Sequence, residues 1–485
     1  MKYEAVAHYI GGQAVAGSGD ALPVISPLDG SQLSTVPLAT AAEVAQAVAA
    51  ARAAQTQWSA ATIRQRSQVF YRYRDLLHKH QQELAELIHE ENGKTVPEGQ
   101  AEVVRAIEVT EFACSLPQMV AGTILEVSPQ VECRTQREPL GVVASISPFN
   151  FPVMVPHWTI PIALCLGNAM IFKPSEKVPL SAVRTAELLS AAGLPSGVFN
   201  VLHGDRTVVE AICEQPGISA VSFVGSTAAA QAVYTRATAN LKRALCLGGA
   251  KNHLIVLPDA HPEQTAVNVV ASMAGCAGQR CMAAASMVAV GQVDAIVERV
   301  CAEANKLIPG ETLGAVISAE AKQRIERYIS EAEAAGAKVL VDGRNTNVPG
   351  QEGGFYLGPT VLDNVRPEMK IAQDEVFGPV LAILRVDELS QAVEIENASP
   401  YGNAAAIYTR SGGLAKSLAE QARAGMIGVN IGVPDQLEPF GFGGWNDSRF
   451  GVGDITGPGS IEFWTQTKKI TSRWTSELKQ GWMGD

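Results

Sequence analysis

The sequence predicts an α/β protein whose core is a doubly wound parallel sheet, and three observations predict it. From Gly141 onward, strand-like segments alternate with helical ones, a rhythm typical of parallel sheets covered by helices. The same alternation runs through a second region from His261 to about Asn430. The chain has 485 residues, 47% of them hydrophobic, which is too long for one ordinary core. We therefore expect two or three packed domains.

The segments before Gly141 are predicted to be mostly helical, with extended stretches at either end. Turn signals crowd the first 40 or so residues and predict short antiparallel strands. The run Thr40–Glu43 is a capping box that opens a helix, and helices continue to Asn92-Gly93. Another helix is predicted to start after Pro97 and to run to about Cys114. Residues 124–138 are polar and extended, and predict a two-stranded excursion from the domain.

Apolar runs bounded by turn residues predict the strands and helices of both α/β regions. The first strands are expected at Val142–Ile146, Ala169–Lys173, Val198–Leu202, Ala220–Val224, Ala244–Leu247 and Leu254–Leu257. Helices are expected at Leu180–Ala192, Thr227–Ala237, Asp294–Leu307 and Ala319–Ala335. Later strands are expected at Lys338–Val341, Val380–Leu384 and Phe463–Trp474.

Charge and composition exclude several classes of protein. The formal net charge of −11 argues against a general nucleic-acid binder. There is no signal-like start and no run of 18 apolar residues, so the protein is expected to be cytoplasmic, with no membrane partner. The eight cysteines include no C-x-x-C pair, which fits a reducing compartment, and no metal site is predicted.

The stretch Gly278–Met282 is the strongest candidate for chemistry. Cys281 follows a helical pattern, precedes a strand-like run and has Arg280 beside it. Reactive cysteines favour such loops, because a thiolate needs partial exposure and nearby positive groups or N–H donors. An inert thiol that happens to lie in a loop remains the alternative, since most free cysteines are unreactive.

Three further motifs follow predicted strands, where parallel sheets bind ligands. They are Ser147–Pro152, Lys173–Glu176 and Phe223–Thr227, and the last opens a helix whose free N–H groups can hold a phosphate. No G-x-G-x-x-G motif exists in the chain. Arg105 lies on an apolar helix stripe and must find a carboxylate, either from the protein or from a ligand.

These motifs together resemble the aldehyde dehydrogenase superfamily over essentially the whole chain. Their order is S-P-F-N-F-P at 147, K-P-S-E at 173, F-V-G-S-T at 223, L-G-G-A-K-N at 247, G-Q-R-C at 278 and E-V-F-G-P at 375. The branch that the chain resembles most is the CoA-acylating methylmalonate-semialdehyde dehydrogenases. The resemblance implies a Rossmann-type NAD-binding domain, an α/β catalytic domain and a small oligomerisation sheet. The corresponding ranges are 1–123 with 141–250, then 251–435, then 124–140 with 455–485.

The resemblance also implies roles for individual residues. Cys281 matches the family's nucleophile, and Asn150 matches the side-chain donor of the oxyanion hole, which the backbone N–H of Cys281 completes. Arg105 and Arg280 are expected to bind a substrate carboxylate. The expected NAD-binding residues are Ser147, Phe149, Lys173, Glu176, Gly225, Ser226, Leu247, Glu375 and Phe377.

One departure from the family bears on the product. Hydrolytic members have a water-activating glutamate just before the Leu-Gly-Gly segment, where this chain has Cys246. A neutral thiol is a poor base, and Cys246 is equally a small core residue. The resemblance therefore implies NAD-dependent oxidation of methylmalonate or malonate semialdehyde with coenzyme A as acyl acceptor, by a homodimer or homotetramer. A hydrolytic aldehyde dehydrogenase and a non-enzymatic binding protein are the rivals.

Overall fold

The computed structural model describes residues 1–432, 434–435 and 438–473. The strands of these ranges, in chain order from β1 to β22, are His8–Ile10, Gln13–Val15, Ala21–Ile25, Gln32–Pro37, Ile124–Ser128, Val131–Pro139, Val142–Ile146, Ala169–Lys173, Phe199–Val201, Ile218–Val224, Arg243–Leu247, Asn252–Val256, Ala284–Val290, Lys338–Val341, Thr360–Asp363, Val380–Val386, Tyr401–Gly402, Ala404–Tyr408, Met426–Val429, Trp445–Asn446, Arg449–Phe450 and Thr465–Arg473.

Helices cover much of the remaining described chain. In order from α1 to α16 they are Ala41–Ala60, Ile63–Lys79, Gln81–Asn92, Val96–Met119, Met154–His157, Ile160–Cys165, Leu180–Ala191, Arg206–Glu214, Thr227–Ala239, Pro262–Ala274, Asp294–Ala304, Ala319–Ala334, Lys370–Gln373, Leu389–Ala398, Gly412–Gln421 and Gly457–Trp464. Each helix in these ranges is too short or too polar to cross a bilayer.

The first large sheet confirms the predicted doubly wound core. Its order in the described chain is β2-β1-β9-β8-β7-β10-β11-β21. The neighbouring strands from β9 to β11 pair in parallel, whereas β1, β2 and β21 add antiparallel edges. Every residue of β7 and β8 is buried, because helices pack on both faces of the sheet. Burial on both faces explains why these two strands appear in the sequence as continuous apolar runs.

A second large sheet organises the later part of the chain. Its order is β14-β15-β16-β13-β12-β18-β19, and every pairing is parallel except that between β14 and β15. Helix α10 runs from β12 towards β13 and packs on one face through Val269 and Met273. Because β13 begins just after residue 281, the candidate cysteine lies at the amino end of this sheet.

A third, small sheet has the order β22-β6-β5 and is fully antiparallel. It confirms the predicted excursion at 124–138. The predicted strand at Phe463–Trp474 was partly wrong, because Phe463 and Trp464 end α16 and bury their rings, and β22 begins only at Thr465. Trp474 lies outside the described residues.

Helix α4 begins and ends outside its predicted limits. Thr95 caps it and Glu98 completes the capping box, so the helix starts one residue before Pro97. It continues past Cys114 to Met119 although Pro117 lies within it. Pro117 has no N–H for the carbonyl of Ala113, which instead accepts a hydrogen bond from the Cys165 thiol at 3.4 Å. Helix α4 carries Arg105 and Glu102, which both contribute to the candidate site.

Candidate active site

The Cys281 loop has a backbone that few residue types tolerate. After α10, a short 3₁₀ turn at Gly275–Gly278 places Cys276 and Ala277 in the left-handed region, with φ of 55° and 52°. Gly278 follows with φ of 69°, and a Cβ there would lie 2.1 Å from the carbonyl oxygen of Gly378. A glycine is therefore required at 278, and the turn delivers Cys281 to the amino end of β13.

Two asparagine side chains hold the carbonyl of Cys281. Asn252 Nδ2 donates to it at 2.6 Å, and Asn403 Nδ2 donates at 3.1 Å. Asn252 also accepts from the N–H of Ala404 at 3.1 Å, which ties β12 to β18. Sequence reasoning assigned no role to either residue. Asn252 belongs to the L-G-G-A-K-N motif and so had a signal, whereas Asn403 had none.

Cys281 lies where two cavities meet. One cavity of about 220 Å³ is lined by Cys281, Arg105, Arg280 and Asp435, with apolar walls from Phe151, Met154, Trp158 and Phe442. The other, of about 610 Å³, is lined by Cys281, Asn150, Glu375 and the glycines at 225, 248 and 249. A thiol in this position can reach molecules bound in either cavity.

The surroundings of Cys281 favour the neutral thiol over the thiolate. Burial raises its pKa to about 12, and the negative charges of Glu375 and Asp435 act in the same direction. Arg280 lowers the pKa but does not outweigh burial. The neighbouring arginine predicted from the sequence therefore does not by itself produce a thiolate.

Asn150, which the resemblance matched to an oxyanion donor, lies beside the cysteine loop. Its side chain is buried, and Nδ2 donates to the carbonyl of Gln279 at 2.9 Å, two residues before Cys281. The amide thus faces the turn that carries the thiol and also lines the larger cavity. Asn150 and Cys281 therefore share a wall of this cavity.

A buried ion pair that sequence reasoning missed positions Asn150. Lys94 Nζ lies 2.5 Å from Glu102 Oε2 and also donates to the carbonyl of Asn150. Glu102 Oε1 accepts from the N–H groups of Val153 and Met154 at 2.7 and 3.0 Å. At most 2% of either side chain is exposed. Lys94 and Glu102 lie on either side of the capped start of α4, and this spacing gave no signal in the sequence.

The larger cavity has the features needed to hold a dinucleotide. Ser226 is the N-cap of α9, yet its side chain makes no capping hydrogen bond, so the first N–H groups remain available for a phosphate. A Cβ at Gly249 would lie 2.6 Å from Glu375 Oε2, so a larger residue there would displace this carboxylate. Phe149 and Phe377 meet edge to face at 5.9 Å between ring centres.

Glu375 is the carboxylate of this cavity. Its Oε1 accepts from the N–H of Ala250 at 3.2 Å, and burial raises its pKa to about 7. Lys251, buried behind it, donates to the carbonyls of Ile371 and Asp374 at 2.6 and 3.0 Å, and burial lowers its pKa to about 8. Lys251 thus holds the loop that bears Glu375. The Glu375 carboxyl can still accept hydrogen bonds from hydroxyl groups.

Four of the predicted cofactor residues lie near this cavity without lining it. Lys173 Nζ is buried 3.3 Å from Glu176 Oε2 at the carboxyl end of β8. Ser147 donates its N–H to the carbonyl of Lys173 at 3.1 Å, and the carbonyl of Leu247 accepts from the N–H of Gly225 at 3.1 Å. These four residues lie at or just after the carboxyl ends of neighbouring strands of the same sheet. Lys177 lines the cavity, whereas Lys173 does not.

The two predicted arginines both line the smaller cavity. Arg105 Nη2 donates to Asp435 Oδ2 at 2.8 Å, and Nη1 donates to Glu108. Arg280 Nη2 donates to the carbonyls of Ala271 and Ser272 at 2.6 and 2.9 Å, at the end of α10. The buried Nε of Arg280 has no hydrogen-bond partner among the described residues. The smaller cavity is therefore lined by two cationic side chains as well as by the thiol of Cys281.

Cys246 does not face the site. It is fully buried on the opposite face of the first sheet from Leu247, in the core that α1, α8 and α9 cover. Burial raises the pKa of this thiol. Both expectations for Cys246 thus agree with the structure: it is a small core residue, and it supplies no base next to Cys281.

Comparison with known proteins adds an independent finding. The model of the aldehyde dehydrogenase family matches residues 14–470. Malonate-semialdehyde dehydrogenase 2 of Geobacillus kaustophilus is 43% identical, with 96% of this chain and 98% of the relative covered. Malonate-semialdehyde dehydrogenase of Pseudomonas aeruginosa is 40% identical, with 96% of each chain covered.

Solved structures give the same result. A protein of Sinorhizobium meliloti, assigned as a methylmalonate-semialdehyde dehydrogenase and complexed with NAD, has a TM-score of 0.97 at 41% identity, covering 99% of this chain and 100% of that one. The methylmalonate-semialdehyde dehydrogenase of Oceanimonas doudoroffii has a TM-score of 0.97 at 39% identity, with the same coverage.

Proposed function

Because the chain belongs to the aldehyde dehydrogenase family, we propose that it oxidises malonate or methylmalonate semialdehyde with NAD and passes the acyl group to coenzyme A. The names of its relatives support this substrate class. The single observation that carries the proposal is the smaller cavity, where Cys281 shares the walls with Arg105 and Arg280. Forked guanidinium donors suit a carboxylate, and the thiol suits an aldehyde.

The larger cavity is the proposed NAD site. Gly225 and Ser226 would hold the pyrophosphate at the start of α9, and Glu375 would accept hydrogen bonds from a ribose. Lys173 and Glu176 would bind the second ribose further along the sheet edge. NAD, when bound, supplies the hydride acceptor. In this proposal residues 1–123 and 141–250 form the NAD-binding domain and 251–435 the catalytic domain.

The chemistry uses Cys281 as nucleophile. Its thiolate adds to the aldehyde carbon and gives a tetrahedral oxyanion, which Asn150 Nδ2 and the N–H of Cys281 stabilise. Loss of hydride from the same carbon leaves a thioester on Cys281. The substrate carboxylate, held by the arginines, then lies β to the thioester carbonyl, so loss of CO2 leaves an enolate on the oxygen that these donors face. Protonation of the enolate carbon gives the acyl-enzyme.

Deacylation is proposed to use a thiol in place of water. Cys246 stands where hydrolytic members have their glutamate, and its side chain is buried on the far side of the sheet. Attack by the coenzyme A thiolate on the thioester carbonyl forms acetyl-CoA or propionyl-CoA and returns Cys281 as its thiolate. No water needs to be activated in this step.

We also propose that the protein assembles as a homodimer or homotetramer through the sheet of β5, β6 and β22, as the family resemblance implied. The apolar side chains of Ile124, Leu125 and Val127 on β5 are 64%, 63% and 53% exposed in the single chain. Apolar side chains clustered in this way are typical of protein–protein contact surfaces.

Product analysis tests the proposed function directly. The protein is incubated with malonate semialdehyde and NAD, with and without coenzyme A, and NADH, acetyl-CoA and free acids are measured. We expect coenzyme A to accelerate turnover strongly and acetyl-CoA to form in step with NADH. Rapid release of a free acid without coenzyme A would favour the hydrolytic rival. Arg105→Leu should raise KM for the semialdehyde far more than KM for propanal.

A further inference from the structure

Asp435 is a carboxylate in the smaller cavity that the proposed mechanism does not use. It lines the cavity together with Arg105, Arg280 and Cys281. Its Oδ2 accepts from Arg105 Nη2 at 2.8 Å, with 29% of the Asp435 side chain and 22% of the Arg105 side chain exposed. The guanidinium proposed for the substrate carboxylate is therefore already bound to a carboxylate of the protein.

Asp435 shares the smaller cavity with both arginines and the thiol, and its charge interacts with each of them. The positive charges of Arg105 and Arg280 both stabilise its ionised form, although burial raises its pKa overall. Its own negative charge contributes to the raised pKa of Cys281. A substrate bound with its aldehyde at Cys281 and its carboxylate at Arg105 would bring a second negative charge next to that of Asp435.

We propose that Asp435 competes with the substrate carboxylate for Arg105 and so sets the preference of the enzyme between anionic and neutral aldehydes. An anionic aldehyde must displace Asp435 from the guanidinium before it binds, whereas a neutral aldehyde leaves that ion pair intact. Like charges that meet in a partly buried cavity oppose binding strongly. Asp435 is thus a specificity-determining residue that weakens binding of the carboxylated substrate.

This inference rests on the proposed function only in its choice of substrate, so its test uses a non-reacting anion. 3-Hydroxypropionate has the carboxylate of malonate semialdehyde at the same separation but has no aldehyde. Its inhibition constant against propanal oxidation is measured for the wild-type enzyme and for Asp435→Asn. Removing one like charge from the partly buried cavity should lower the inhibition constant about ten-fold or more. The selectivity ratio, kcat/KM for malonate semialdehyde over that for propanal, should rise by a similar factor.

Two variants separate competition at Arg105 from a general change of charge. Glu108→Gln removes a carboxylate that also binds Arg105 but does not line the cavity, and the inhibition constant should shift much less than in Asp435→Asn. In the Arg105→Leu background, Asp435→Asn should lose most of its effect, because the contested guanidinium is gone.

An inhibition constant that is unchanged or higher in Asp435→Asn would overturn the proposal, since Asp435 would then be orienting Arg105 for the substrate. If malonate semialdehyde is not oxidised at all, the proposed function fails. The inhibition constants for 3-hydroxypropionate still decide the role of Asp435 in that case.

Discussion

At the scale of single residues, the site combines a well-held backbone with an unactivated thiol. The carbonyl of Cys281 is held by Asn252 and Asn403, which fixes the peptide that links Cys281 to Met282. Burial raises the pKa of the thiol itself. The loop thus holds the cysteine in position while burial disfavours its reactive thiolate form.

Replacing the proposed nucleophile gives the first prediction. Cys281→Ala should abolish NADH formation, because no other described cysteine lines both cavities, while binding of NAD measured by calorimetry should persist. Cys276→Ala is the matched control, since Cys276 lines only the smaller cavity. Activity in Cys281→Ala together with inactivity in Cys276→Ala would show that Cys281 is not the nucleophile.

The oxyanion donor gives the second prediction. Asn150→Ala should lower kcat by a factor on the order of 10² to 10³, because one preset donor near a developing oxyanion contributes about that much. Steady-state rates with propanal and NAD measure the change. Asn150→Asp keeps the shape and replaces the amide donor with an acceptor, so it should be at least as impaired. A near-normal kcat in both variants would remove Asn150 from the mechanism.

At the scale of elements, the sequence predicted the large sheets better than the supports of the site. Strands β7 and β8 were predicted residue for residue, because burial on both faces makes them continuous apolar runs. The strand expected at Phe463–Trp474 was partly wrong, since buried aromatic side chains fit the end of a helix as well as a strand. Contacts between distant segments, such as Lys94 to Asn150, have no periodic signature and emerge only from the fold.

The Lys94–Glu102 pair gives the prediction at this scale. Lys94→Met leaves Glu102 buried without its partner, and breaking a buried pair in this way destabilises a protein by about 3–5 kcal/mol. Denaturant unfolding should show this loss, and kcat should also fall, because the carbonyl of Asn150 loses the Lys94 donor. Lys306→Met, in the exposed pair with Glu303, should change stability by less than about 1 kcal/mol. Equal stability of the two variants would contradict the stabilising role of the buried pair, and an unchanged kcat in Lys94→Met would contradict the positioning role of Lys94.

At the scale of the whole molecule, two α/β sheets carry the cavities and a third sheet extends from them. The third sheet forms when β22, close to the end of the described chain, pairs along its full length with β6, more than 300 residues earlier. Sequence analysis predicted both segments separately, but their pairing followed only from the family resemblance. Neither large sheet includes a strand of this third sheet. An intermolecular role would account for its exposed apolar strand β5.

The third sheet, formed by β5, β6 and β22, gives the last prediction. Leu125→Glu combined with Val127→Glu places two charges on one face of β5, since alternate residues of a strand share a face. If that face lies against a second copy, light scattering after size exclusion should show a fall from the wild-type mass to a lower multiple of the chain mass. Leu241→Glu is the control, because Leu241 is 96% exposed but isolated in a loop. A monomeric wild-type protein, or a double variant that keeps the wild-type mass, would show that β5 is not part of the subunit contact.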